Sequence, residues 1–121
     1  MTKEQAIHLF WSKFGVPAYD ENTVPDDAVL PYITYEVITD SIGYTVISAV
    51  DIWDRGTSWQ MVTALKDAIA EELGYGGTNT HYDNGLLWIK KGTPFARRVP
   101  DDSKDIRHIA LNIESEFLSE V

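Results

Sequence analysis

With 121 residues, no cysteine, and 19 acidic against 10 basic side chains for a formal charge of −9, the chain is expected to form one domain, 1–121, held by packing without disulfides or thiolate-bound metal. Its 44% hydrophobic and 24% charged residues fit a globular rather than a disordered chain, and the negative charge opposes non-specific attachment to phosphate backbones. No stretch reaches the roughly 18 uninterrupted apolar residues of a spanning helix, and Met1–Gln5 runs into an amphipathic pattern rather than an apolar leader, so neither export nor membrane insertion is expected.

Thr2 stands three residues before Gln5, the spacing of a capping box, in which each side chain satisfies an orphan backbone N–H. Ile7, Phe10, Trp11 and Phe14 then follow at i, i+3, i+4 and i+7. This is one apolar helix stripe, stopped by Gly15 and Pro17. The segment Pro17–Leu30 has little periodicity and carries Asp20, Glu21, Asp26 and Asp27. It reads as a surface loop, long enough to be a contact arm.

Residues 32–39 and 44–53 are rich in β-branched and aromatic side chains and flank Ser41-Ile42-Gly43, which predicts a hairpin. In its second strand Val46, Val50 and Ile52 share one face while Ile47, Ala49 and Trp53 share the other, so this strand is expected to be central or interfacial. Thr57 and Gln60 repeat the capping-box spacing ahead of Val62, Leu65, Ile69 and Leu73, with Gly74 closing the run. A second helix capped by Thr57 is expected. Tyr75–Gly85 reads as a glycine-rich loop, Leu86–Lys91 as a strand, Thr93–Asp105 as a long loop, and Ile106 to about Glu116 as a last strand. The fold class is therefore α+β: helix-strand-strand-helix-strand-strand, with a mainly antiparallel sheet packed by two helices.

The chemistry-bearing residues are scattered. His8, His81 and His108 have no partner at metal-pair spacing. Asp51 and Asp54 sit three apart on a strand and face opposite ways. Gly74-Tyr75-Gly76-Gly77 follows a helix rather than opening one, as a phosphate loop would. No catalytic, cofactor-binding or metal-binding residue is predicted. Arg97-Arg98, flanked by Phe95 and Val99, is a compact basic feature, either a docking point for carboxylates or a solvated loop.

The opening helix Glu4–Phe14, the proline-led strand Pro31-Tyr32-Ile33-Thr34-Tyr35, the strand ending Val50-Asp51-Ile52-Trp53 and the helix Trp59–Leu73 together resemble the tail terminator and tail-completion proteins of long-tailed bacteriophages. The resemblance implies a structural virion protein and not an enzyme. It further implies a homo-oligomeric ring, commonly a hexamer, between the tail tube protein and the head-completion protein. DNA would pass through it without specific binding, repelled by acid on the channel wall. The opposite characters of the two long loops suggest a head-to-tail contact of Asp20, Glu21, Asp26 and Asp27 on one subunit with Arg97 and Arg98 on the next. A head-closure or other neck role, a ferredoxin-like binding module, a small nuclease, and a small-molecule-binding dimer with Trp53, Trp59 and Trp88 around a pocket remain the alternatives.

Overall fold

A computed structural model describes residues 1–39 and 43–119. The chain begins with helix α1, Lys3–Trp11, extended by a single 3-10 turn over Ser12–Phe14. Strands β1 (Ala18–Asp20), β2 (Tyr32–Tyr35) and β3 (Val46–Arg55) follow, then helix α2 (Gln60–Leu73), then β4 (Thr78–Tyr82), β5 (Gly85–Val99) and β6 (Ile106–Ser119). All six strands join one sheet in the order β1-β2-β3-β6-β5-β4, antiparallel throughout except for the parallel β1–β2 pair. The architecture is thus α+β, with two helices and a six-stranded, mostly antiparallel sheet.

Strand periodicity places the helices. Ile33 and Tyr35 of β2, Val50 and Ile52 of β3, Leu87 and Ile89 of β5, and Ile109, Leu111, Ile113 and Phe117 of β6 are all buried. Residues two apart on a strand share a face, so these side chains build one apolar surface. Val62, Leu65, Ile69 and Leu73 of α2 and Ile7, Phe10 and Trp11 of α1 close over it in a single cluster. Phe10 meets Trp11 edge to face, with ring centroids 4.8 Å apart, a favoured aromatic geometry.

The capping box of α1 forms as expected: Gln5 N donates to Thr2 Oγ1 at 3.1 Å, and Thr2 N donates to Gln5 Oε1 at 2.8 Å. The one expected at Thr57 does not form. Helix α2 starts three residues later, its N-cap residue Trp59 makes no side-chain cap bond, and Gln60 N is met instead by Ser58 Oγ at 3.1 Å. Thr57 serves through its carbonyl, which accepts from Arg107 Nε at 3.2 Å and Nη2 at 2.9 Å. That bond draws Thr57 toward β6 and out of the capping position.

Three further expectations are corrected. The loop Pro17–Leu30 contains β1, and the loop Tyr75–Gly85 contains β4, an edge strand whose partner lies on one side only. Such a strand needs few apolar residues, so its threonines and asparagine read as turn. Thr93–Asp105 is not a loop as a whole, because β5 continues to Val99 through a bulge: Lys91 pairs Ile113 and Ala96 pairs Leu111, leaving 92–95 opposite Asn112. A Cβ at Gly92 would stand 2.7 Å from Asn112 O, so only glycine permits this approach. Pro94, which lacks an amide donor, falls where no ladder bond is required. The segment Ser41-Ile42 of the expected hairpin turn lies outside the described residues, while its flanking strands β2 and β3 do pair antiparallel.

Thr2→Ala is expected to cost about 1 kcal/mol of unfolding free energy, whereas Thr57→Ala should leave it nearly unchanged. Chemical denaturation of the two variants checks the contrast, and equal losses would contradict the capping assigned here.

Candidate functional site

With the buried parity of every long strand turned to the helices, the other parity forms a sheet face that no helix among the described residues covers. Its residues include Thr34 of β2, Ile47, Ala49, Asp51 and Trp53 of β3, Arg97 of β5, and His108, Ala110 and Asn112 of β6. Ile47 is 66% exposed. The expectation that β3 is central holds in the sheet order, but it is covered by helices on one face only.

A polar cluster lies toward one end of the central strands on this open face. Trp53 and His108 are cross-strand partners, and their rings stack with centroids 3.7 Å apart at 15°. His108 Nε2 lies 2.6 Å from Asp51 Oδ1, with both side chains largely shielded from solvent. Trp53 Nε1 donates to Thr34 Oγ1 at 3.1 Å, and Thr34 is itself buried. Asp51 therefore holds the imidazole, the imidazole carries the indole, and the indole is anchored at its far end by a threonine. An imidazole paired to a carboxylate is one half of a general-base arrangement. Here the neighbouring Thr34 hydroxyl is engaged with the indole, so the cluster works as a clamp across β2, β3 and β6. Sequence reading missed the pair because Asp51 and His108 are 57 residues apart.

Glu21 and Val24, just beyond β1, flank a shallow depression on the same face with Tyr32, Thr34, Asp51 and Trp53. Tyr19 and Tyr32 meet edge to face beside it, with centroids 5.5 Å apart. Although Glu21 is largely exposed, partial desolvation pushes its carboxyl above the ordinary range, and the neighbouring charges of Glu36, Asp51 and Asp20 push it further the same way. This corner is short of positive charge.

The residues expected at a subunit contact are placed as follows. Asp20 ends β1 and accepts from Asn22 N at 3.0 Å, turning the chain. Glu21, Asp26 and Asp27 are exposed in the connection that follows. Arg97 and Arg98 are not a compact pair on a loop, because both belong to β5 and adjacent strand residues face opposite ways. Arg97 is opposite Ala110 on the open face. Arg98 is turned to the helical side, its guanidinium 4.6 Å from the Trp59 ring centre, which Arg107 also approaches at 5.3 Å. The acidic and basic groups are not brought together within the chain, since β1 and the lower half of β5 lie four strand spacings apart, roughly 19 Å.

Trp53, Trp59 and Trp88 do not share a pocket. Trp53 is on the open face, Trp59 precedes α2, and Trp88 Nε1 donates to Gly76 O at 3.0 Å beside β4. Among the described residues no group of three or more His, Cys, Asp or Glu could hold a metal ion, and no helix is long and apolar enough to cross a membrane. No family model matches the chain, and no curated protein and no solved structure matches it.

His108→Ala removes a stacked ring and strands the Asp51 carboxylate, and is expected to cost roughly 1–3 kcal/mol; denaturant titration, with the Trp53 fluorescence shifting as its ring is uncovered, checks this. Glu21 gives a pH signature. A carboxyl with a raised pKa in the fold binds its proton more tightly there than in the unfolded chain, so stability falls as pH rises from the model-peptide value of 4.5 through the raised one. Glu21→Gln should therefore raise the melting temperature at neutral pH, with the gain disappearing in acid below 4.5; a gain independent of pH would refute the charge explanation.

Proposed function

We propose that this chain is a structural assembly protein that acts as a ring subunit, in the manner of bacteriophage tail terminator and tail-completion proteins. The observation that supports the reading best is the helix-free sheet face, with Trp53 and His108 clamped near one end of its two central strands and Ile47 exposed toward the other end of β3. The clamp stabilises the domain, and it also fixes aromatic side chains on the solvent side, as a subunit that presents a set surface to neighbours requires.

The element order supports the same reading. The opening helix, the antiparallel pair β2–β3 and the second helix are the features on which the resemblance rests, with β1 and β4 added to the expected order. In this role the subunit joins a tail tube protein on one side and a head-completion protein on the other, in the virion. A formal charge of −9 then serves to let DNA slide through the ring without sticking. Chemistry at a substrate is no part of the reading, because the Asp51–His108 pair is occupied in holding Trp53.

Native mass spectrometry and sedimentation at increasing protein concentration, with and without purified tail tubes, test it. A closed ring of defined subunit number, formed alone or on the tube end, is the expected outcome. A chain that stays monomeric at every concentration and leaves the tube uncapped would refute the proposal.

A further inference from the structure

The chain engages nearly all of its own cations. Lys13, Arg55 and Lys66 are ion-paired, Arg107 donates to the Thr57 carbonyl and Lys3 to that of Thr39, and Lys90, Lys91 and Arg98 lie over the rings of Trp88, Phe95 and Trp59. Among the described residues, the side chains of Arg97 and Lys104 alone are left without such a partner. None of these cations borders the depression on the open face, whose walls include Glu21, Tyr32, Asp51 and Trp53.

Two of those walls are aromatic and held in place. His108 on β6 covers one face of the Trp53 indole, and the depression lies on the other side, toward β2. Thr34 accepts from the indole N–H, which keeps the ring in that attitude. Tyr32 is the cross-strand neighbour of Trp53 and is steadied edge-on by Tyr19. Trp59 and Trp88 each carry a cation of the chain, whereas Trp53 carries none.

The other two walls are carboxylates without a counter-charge. His108 engages Asp51 Oδ1, and Oδ2 has no hydrogen-bond partner among the described residues. The charges acting on Glu21 are those of Glu36, Asp51 and Asp20, all negative. Carboxylates gathered in this way cost stability, and a cation bound to the folded chain relieves that cost. No three His, Cys, Asp or Glu among the described residues are placed to hold a metal ion, so the complement of this corner is an organic cation. A guanidinium meets both kinds of wall at once, stacking on an indole while its fork of N–H donors pairs with carboxylates; an ammonium is a more strongly hydrated point charge.

We propose that this corner of the open face receives an arginine side chain of a different protein, its guanidinium seated against Trp53 and Tyr32 and paired with Asp51 and Glu21. The site itself stands apart from the ring reading, but the choice of a different protein rests on it. Successive copies in a closed ring of three or more differ by less than half a turn, so their open faces do not oppose one another. Arg97 is on the same face as the depression, and a ring neighbour therefore does not present it there. Within the subunit Arg97 is two strand spacings from Asp51, roughly 10 Å, with Ala110 between them. The arginine then comes from one of the proteins that flank the ring.

N-acetyl-arginine methylamide is the probe, and the neutral, similarly shaped N-acetyl-citrulline methylamide is its control. In an amide NMR titration the arginine probe should shift the Trp53 indole N–H and the Thr34 and Glu21 amides saturably, and the citrulline probe should not. Glu21→Gln, expected above to stabilise the fold at neutral pH, should weaken the arginine probe roughly fivefold. A variant more stable than its parent and weaker in binding cannot owe that loss to unfolding. Equal shifts with citrulline, or an arginine titration that Glu21→Gln leaves unchanged, would overturn the site. Arg97→Gln should bind the probe as the parent does. Self-association abolished both by Arg97→Gln and by saturating probe would make a second copy the occupant and overturn the assignment to a different protein. Absence of rings from the parent, with the probe still bound saturably, would count against the ring reading and for the site.

Discussion

Everything in this molecule depends on a single sheet being apolar on one side only. Ile33, Val50, Ile52, Ile109, Leu111 and Ile113 stand in adjoining rows, and their burial is what fixes α1 and α2 to the same side. A helix on each face would have made a three-layer protein with a second core. Two helices on one face leave the strands' other parity without a partner in the chain, and what that parity carries becomes the functional question. Register protects the arrangement, because a one-residue slip in β3 or β6 would turn its whole apolar row to the open side.

The open face is chemically specified rather than merely polar. The chain Asp51–His108–Trp53–Thr34 spans three strands and leaves no member without a partner. Each bond fixes the next side chain, and the cluster sits where β2, β3 and β6 are paired most regularly. The same face changes character along the sheet, from the carboxylates around Glu21 at one edge to Arg97 at the other. A protein this acidic could have scattered its few cations evenly. Arg97 and Arg98 of β5 line one groove with Lys66 of α2, whose ammonium is paired with Asp67 at 2.8 Å.

How much of this was legible in the sequence depended on the range of the interaction concerned. The apolar stripes of α1 and α2 and the alternation in β3 and β6 are local, and residues such as Ile69 or Leu111 lie where periodicity puts them. The Thr2 cap was legible for the same reason. At Thr57 identical spacing misled, because Arg107, 50 residues away, holds the carbonyl. Strand β4 was hidden by its polar edge position, and the lower half of β5 by Gly92 and Pro94, which signal a break when read alone but stand in a bulge when Asn112 is seen opposite. Treating Arg97-Arg98 as one feature followed from calling that segment a loop; in a strand the pair divides between two faces. The pairing of Asp51 with His108 needed the fold before it could be seen at all.

The bulge at 92–95 has one more effect. Asn112 Nδ2 donates to Pro94 O at 2.8 Å, tying the bulged segment down, while the pairing of Ala96 with Leu111 restarts the ladder afresh. The strand thus carries slack between two anchored stretches. Which arginine looks toward the helices and which away from them is set by the pairing of Ala96 with Leu111 beyond the bulge and not by counting from Gly85. The same slack separates the half of β5 that is sealed by β4 from the half beyond the bulge, so that one strand is interior to the sheet at one end and outermost at the other.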